Sequence, residues 1–272
     1  MIALSLMVAA ALVSEPRYLI FGTTGPEFLL VEAASRSVER VTLPSGEIDG
    51  VAVSSDASQF AYVAPVGDGK RGLWTWKRGE AAHLIESRSG KYSDPAFSPD
   101  GWIYFSRSPA SGGRHAFGTY AQVFRVRPDG SGPEQNTDEN GCHFSVSFTS
   151  RGQLQYIHSS CTSRAWVERL KRPSTRPDIL VTVAGTVAEA TASPDGTSVL
   201  FVSDEPDSFV VQEARRKHPP RVLFAFDRLM KRAHIAYGGS PDEIFYQQGG
   251  RVWLYSKGIR SVIASFDSRG VQ

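Results

Sequence analysis

Asp94-Pro95-Ala96-Phe97-Ser98-Pro99-Asp100-Gly101-Trp102-Ile103-Tyr104-Phe105 reads as two extended apolar segments joined by a tight corner. Pro99 presets φ for the first corner position, Asp100 can accept a hydrogen bond from its own backbone, and Gly101 tolerates the positive φ that closes the corner. The segment that follows is rich in aromatic and β-branched side chains, so the stretch predicts a β-hairpin. The same text returns at Ser193-Pro194-Asp195-Gly196 ahead of Val199-Leu200-Phe201-Val202, and at Ser240-Pro241-Asp242 ahead of Ile244-Phe245-Tyr246. A worn form stands at Ser54-Ser55-Asp56 ahead of Phe60-Ala61-Tyr62-Val63, and a variant at Thr149-Ser150-Arg151-Gly152 ahead of Leu154-Gln155-Tyr156-Ile157. Successive corners are spaced by about 45 residues, the length of a four-stranded propeller blade.

Between corners the chain carries short strand-like runs, such as Leu73-Trp74-Thr75-Trp76, Val123-Phe124-Arg125-Val126 and Val252-Trp253-Leu254-Tyr255. No segment sustains a 3.6-residue apolar period, which excludes helical repeats. The expectation is an all-β chain, a six-bladed β-propeller of four-stranded antiparallel blades around a central channel, and a closed ring of repeats is one cooperative domain. Blades are expected at 18–41, 51–85, 95–137, 144–183, 191–226 and from 235 onward.

These corners resemble those of the TolB-like β-propeller repeat, which has a Ser-Pro-Asp-Gly hairpin between the first two strands and an Asp-Gly-Ser-Gly turn after the third. The second hallmark occurs once in full, at Asp129-Gly130-Ser131-Gly132 after Phe124-Arg125-Val126. The resemblance runs from about residue 17 to the end. It implies the propeller fold but no single function, because such propellers serve as binding platforms, as periplasmic envelope components and as domains attached to hydrolases.

A net charge of +2, with the arginines scattered along the chain, argues against a nucleic-acid partner. Residues 2–13 form an uncharged apolar run of signal-peptide length, too short to span a bilayer as a helix and lacking a Lys or Arg ahead of it. One reading makes residues 1–14 a cleaved leader before a propeller at 15–272, which places the protein in the periplasm or outside the cell. The other makes residues 9–13 the inner strand of blade one, with Ser14-Glu15-Pro16 as its turn. A further source for that inner strand is Val262-Ile263-Ala264-Ser265-Phe266 before Asp267-Ser268-Arg269-Gly270, which repeats the pattern of Ser145-Val146-Ser147-Phe148 before Thr149-Ser150-Arg151-Gly152. That segment serves equally well as the outer strand of blade six.

Two long loops of blade three, 107–119 and 133–141, should emerge on one face because strands alternate direction. They would bring Arg107, Arg114, His115 and Tyr120 near Asp138, Glu139 and Asn140, beside the channel mouth. Asp94 and Glu189 stand at the same repeat position, four residues ahead of Ser98 and Ser193, so both carboxylates would face the channel, or else cap amides of their own turns. A hairpin about residues 149–152 pairs His143 with His158, two ligands of a metal with no third in view, or a packed pair. It also sets Cys142 opposite Ser159, with Cys161, the only other cysteine, two residues further along the same face; the diagonal is somewhat long for a bridge, so the disulfide expected here needs a bulge or a slight opening at the hairpin end, and the alternative is two buried thiols. The five tryptophans sit on strands and read as core between blades.

No nucleophile elbow, paired zinc-ligand motif, phosphate loop or Cys-x-x-Cys is present, and no cofactor or metal is implied. The function expected is an exported, non-catalytic, monomeric binding module that presents its loop-bearing face to a protein or peptide partner. The alternative is a hydrolase or lyase acting on a peptide or saccharide near the channel mouth.

Overall fold

The computed structural model describes residues 17–22, 25–109, 120–137, 141–160, 164–170, 177–215, 218–227 and 234–266. Among them there is no helix, so none is long and apolar enough to cross a membrane. Six antiparallel sheets follow one another along the chain. Blade I holds β1 (Tyr18–Gly22), β2 (Glu27–Glu32) and β3 (Val38–Thr42); blade II holds β4 (Gly50–Val53), β5 (Gln59–Gly67), β6 (Lys70–Lys77) and β7 (His83–Glu86). Blade III has β8 (Lys91–Phe97), β9 (Ile103–Ser108), β10 (Gln122–Val126) and a two-residue β11 (Glu134–Gln135); blade IV has β12 (Cys142–Phe148), β13 (Leu154–Ser159), β14 (Arg164–Leu170) and β15 (Asp178–Ala184). Blade V has β16 (Thr186–Ala192), β17 (Ser198–Asp204), β18 (Ser208–Arg215) and β19 (Arg221–Asp227), and blade VI has β20 (Ile235–Tyr237), β21 (Glu243–Gln248), β22 (Arg251–Ser256) and β23 (Ile259–Ser265). The six-bladed all-β propeller is the fold the corners predict, with blade I showing three strands among the described residues.

The repeated corner is a hydrogen-bond device. Ser193 Oγ donates to Asp195 Oδ1 (2.6 Å) and accepts from the Ser198 N–H (2.9 Å), while Asp195 accepts from the Thr197 N–H (3.0 Å). Ser54, Asp56 and Ser58 repeat the arrangement, and the Ser54 and Ser58 hydroxyls hold the Asp56 carboxyl down to about 2. Gly101 (φ 80°), Gly152 (φ 73°) and Gly196 (φ 73°) close their corners in the left-handed region, as glycine allows, whereas Ala57 (φ 58°) does so with a Cβ.

Six apolar clusters hold the ring, one at each seam between neighbouring blades. The seam of blades I and II, for example, gathers Phe28, Leu30 and Val41 with Phe60 and Tyr62, and that of V and VI gathers Val211, Phe224 and Phe226 with Ile244 and Tyr246. The ring closes in the same way, with Leu19, Phe21, Leu29 and Val31 of blade I against Phe245, Val252, Leu254 and Ala264 of blade VI. Trp74, Trp76, Trp102 and Trp253 pack against these clusters, and Trp166 lies against His158, ring centroids 5.1 Å apart.

The C-terminal strand is an outer strand. β23 pairs antiparallel with β22 throughout, so the latch onto blade I is not formed by residues 262–266. Four outer strands, β7, β15, β19 and β23, share a further device, a one-residue bulge at Ile85, Leu180, Leu223 and Ile263, each of which tucks a side chain into a seam. The residue before each bulge, Leu84, Ile179, Val222 or Val262, is exposed. A bulge twists an exposed edge away from regular pairing and so blunts edge-to-edge association.

Candidate functional site: the channel mouth

Inner strands line the channel, and three of them are bulged at the same level. In β8 the residues Asp94 and Pro95 together oppose Phe105, in β12 Ser145 and Val146 oppose Tyr156, and in β16 Ala188 is the extra residue. Asp94 (φ 52°) and Ser145 (φ 55°) hold left-handed backbone there. Bulges of this kind re-aim side chains, and here they turn Asp94, Ser145 and Glu189 toward the axis. The result is a cavity of about 500 Å³ lined by residues of blades II to VI, among them these three, Phe144, His234 and Ile235.

The two carboxylates brace neighbouring blades as well as lining the cavity. Asp94 Oδ2 accepts from the Ser145 N–H (3.2 Å) and from Ser93 Oγ (2.9 Å), tying blade III to blade IV. Glu189 Oε1 accepts from the Ile235 N–H (3.1 Å), tying V to VI, and its Oε2 lies 4.0 Å from His234 Nδ1. Between them Ser145 Oγ donates to the Ala190 carbonyl (3.2 Å) and accepts from the Ala190 N–H (2.9 Å). The amides capped by Asp94 and Glu189 thus belong to the next blade, not to the residue's own turn. A carboxylate held in place by such donors is a pre-positioned acceptor facing the cavity.

The bases of the two long blade III loops are tied together beside this mouth. The His143 N–H donates to the Ala121 carbonyl (2.7 Å), the Val123 N–H to Thr137 Oγ1 (2.9 Å), and Thr137 Oγ1 to Gln122 Oε1 (2.6 Å). Arg114, His115, Asp138, Glu139 and Asn140 lie outside the described residues. Tyr120, at the foot of the first loop, is 55% exposed. Arg107 is held between blades II and III: its guanidinium covers the Phe124 ring, 4.1 Å from the centroid, and approaches Glu86 Oε1 at 3.8 Å. His143 is fully buried in the seam of blades III and IV, and among the described residues no group of three His, Cys, Asp or Glu could hold a metal. Cys142 stands opposite Ser159 as expected, and no described cysteine is free; Cys161 is outside the described residues.

Two contributors to the mouth were missed from sequence. Ser145 stands where Asp94 and Glu189 do, four residues ahead of its corner threonine, but as an uncharged residue it carries no electrostatic signal. His234 precedes blade VI's inner strand with no repeat counterpart to mark it.

As a sequence, the chain matches no family model and no curated protein. As a fold, it is similar to TolB from Acinetobacter baumannii, with a TM-score of 0.67 and 16% identity over 89% of this chain and 61% of that one. The chain therefore spans about three-fifths of that TolB. It is similar also to a chain in the nidogen/laminin complex (TM-score 0.67, 13% identity, 92% of each chain). A third likeness is to XC5397 of Xanthomonas campestris, described as a gluconolactonase (TM-score 0.61, 14% identity, 89% of this chain and 82% of that one). At these identities the likeness is one of fold, and it bears out the TolB-like propeller read from the corners. Binding proteins and an enzyme share that fold, so function has to be argued from the site.

Proposed function

We propose that this propeller is a non-catalytic binding module that takes a protein or peptide partner at the channel mouth. The observation that carries the reading is the pair Asp94 and Glu189, both lining one cavity of about 500 Å³ from alternate blades, each anchored by a backbone N–H of the next blade. An anchored acceptor loses little conformational freedom on binding, and two of them on a rigid ring select a donor-rich or cationic group, such as a Lys or Arg side chain in an extended segment. The bases of the two blade III loops are tied together, and Arg114, His115, Asp138, Glu139 and Asn140 of those loops are included in the proposed surface. Location in the periplasm or outside the cell belongs to this reading too, resting on the proposed Cys142–Cys161 disulfide.

A second reading, a hydrolase or lyase on a peptide or saccharide, draws on Glu189 Oε2 and His234 Nδ1 at 4.0 Å, a separation from which an acid–base pair could close. One experiment separates the two. Extended peptides differing only in Lys or Arg content are titrated against the full chain and against a variant carrying Asp94→Asn with Glu189→Gln, while the peptides are followed for cleavage. Stoichiometric binding that favours the cationic peptides and falls at least about tenfold in the variant supports the module, since one charged hydrogen bond is worth that much. Turnover lost in His234→Gln supports the enzyme, and equal capture by the double variant moves the site elsewhere.

A further inference from the structure

Blade V carries a second cavity, of about 330 Å³, lined by Glu213, Arg215, His218, Pro219 and Arg221. Ala192, next to the Ser193 corner, pairs with Val199, and Val199 with Ala214, so Arg215 ends β18 level with that corner. The cavity therefore lies at the opposite end of the blade from Glu189 and the mouth. At its floor is the Glu213 carboxylate, 5% exposed, on the same face of β18 as Arg215 and directly across the β18–β19 pair from Arg221. Glu213 Oε2 accepts from Arg221 Nη2 (3.2 Å), Oε1 accepts from Arg215 Nη2 (3.5 Å), and Tyr237 Oη of blade VI donates to Oε1 (3.4 Å). The His218 N–H donates to the Arg215 carbonyl (3.0 Å), which closes the turn, and Pro219 and Pro220 fix φ on the way into β19.

We propose that this cavity binds a phosphate group, free or as a small monoester. Charge is the first argument. Two guanidiniums face one carboxylate, and from residue 214 to 226 the sequence has four basic residues and His218 with no acid among them. Distance is the second. Arg125 Nη2 reaches Glu134 at 2.6 Å and Arg88 Nε reaches Glu86 at 2.9 Å, whereas neither guanidinium at Glu213 comes closer than 3.2 Å. A buried carboxylate shared among three donors offsets one positive charge and draws neither arginine fully onto itself. Among the described residues each of these guanidiniums meets Glu213 alone, and with five N–H donors in a rigid fork it has others to give. Their side chains are 54% and 70% exposed, so those donors are open to the cavity and to solvent. Two forks, one from each strand, suit a tetrahedral dianion that offers acceptors on several sides, while a planar carboxylate fills only one. The volume leaves room beside the phosphate for an ester group.

The site is separate from the channel mouth, and its test does not depend on the reading of the mouth. The full chain, in a phosphate-free buffer low in chloride, is titrated with inorganic phosphate, glycerol phosphate and acetate while the arginine Nε–Hε resonances are followed. Saturating shifts are expected at both Arg215 and Arg221 with one equivalent of either phosphate compound, and acetate should bind at least about tenfold more weakly. Tighter binding of glycerol phosphate assigns the site to a phosphomonoester, and tighter binding of inorganic phosphate assigns it to the free ion. Arg215→Gln and Arg221→Gln should each weaken phosphate binding at least about tenfold, the worth of one charged hydrogen bond. Both side chains are more than half exposed, so neither substitution opens the core. Arg151→Gln removes the same charge from an exposed corner of blade IV and should leave binding unchanged. No saturable shift, acetate binding as tight as phosphate, or an equal loss in Arg151→Gln overturns the proposal, and the arginine pair is then only the counter-charge of Glu213.

Discussion

His143 and His158 stack across the β12–β13 pair, ring centroids 4.5 Å apart and planes 24° from parallel, with Tyr156 edge-on to His143 and Glu168 Oε1 3.1 Å from His158 Nδ1. Burial, with the neighbouring His158 adding to it, pushes the His143 imidazole down to about 4. The unfolded chain titrates this ring near ~6.5. Because the folded value lies below the unfolded one, the stability contributed by the neutral ring is fully present above about 6.5 and is lost as the pH falls from there toward 4. The loss should reach about 2–3 kcal/mol. Denaturant unfolding at pH 7.5 and 4.5 checks it: His143→Gln, less stable at neutral pH, should lose less than the native chain over that interval, and equal losses would remove His143 as the cause.

The left-handed residue Ala57 is a second place where the molecule can be tested. It occupies the corner position that glycine holds at 101, 152 and 196, and its N–H donates to the Ser54 carbonyl (2.9 Å) as theirs do to residues 98, 149 and 193. A Cβ in that backbone region costs roughly 1–2 kcal/mol, and glycine returns part of the gain as chain entropy. Ala57→Gly should stabilise the protein by about 0.5–1 kcal/mol, visible as a raised Tm with no change in the denaturant slope.

What could be read in the sequence follows from what repeats. The corners at Ser98, Thr149 and Ser193 gave the blade count, and the hairpin about residues 149–152 gave the pairing of His143 with His158 and Cys142 with Ser159 as found. The pairing shifts by one between Phe144 and Ser147, because a bulge changes register without a fixed residue signature. That bulge is what aims Ser145 at the channel, so the partner of Asp94 in the next blade was out of reach of sequence. The place of residues 262–266 was open for a related reason: an inner and an outer strand share the same apolar alternation, and only pairing with β22 decides between them.

Glu86 illustrates a polar knot that no motif announces. It is buried, and its carboxylate accepts from the Arg88 side chain (2.9 Å from Nε), the Arg88 N–H (2.8 Å) and Tyr92 Oη (3.0 Å). Desolvation acts to raise its pKa, but the Arg88 and Tyr92 bonds outweigh it and hold the carboxyl below its usual range. Stability from this group is therefore present above the unfolded value and lost as the pH falls through the lower folded one. Glu86→Ala should cost about 1–3 kcal/mol by taking the acceptor from the Arg88 N–H (2.8 Å) and guanidinium; the Tyr92 hydroxyl keeps the Arg88 carbonyl (2.6 Å), so Tyr92→Phe should cost less in the Glu86→Ala chain than in the native one. A double-mutant cycle with no coupling would show that the knot is not a unit.

The proposed disulfide has its own test. Cys142 begins β12 opposite Ser159, at the base of the loop-bearing face. Closing a loop of this length should stabilise by about 3 kcal/mol in the chain-entropy model, and the bond persists only in an oxidising compartment. Protein purified from its native source and alkylated without reduction should carry no alkyl group on either cysteine. Two alkylated thiols would remove the bond and the argument for export that rests on it.

Arg40 makes the last prediction, because it joins the two blades that close the ring. From β3 of blade I its Nη2 donates to the carbonyls of Ser265 (3.2 Å) and Phe266 (3.0 Å), at the end of the outer strand of blade VI. Beneath it Ile263 and Phe266 pack on the cluster of Leu19, Phe21, Leu29 and Leu254. Two guanidiniums reach across the closing seam, Arg36 to Glu243 Oε1 (3.0 Å) and Arg40, and the end of the outer strand β23 is what Arg40 grips. Arg40 is one-third exposed, so water offsets part of the bond energy, and Arg40→Ala should cost about 1 kcal/mol. The location of the effect matters more than its size. Amide exchange should quicken in β1 to β3 and β20 to β23 while the seam of blades III and IV stays unchanged, because each blade packs only on its neighbours. Uniform quickening around the ring would mean that the propeller opens as a whole, and that the seam between the first and last blades is no weaker than the other five.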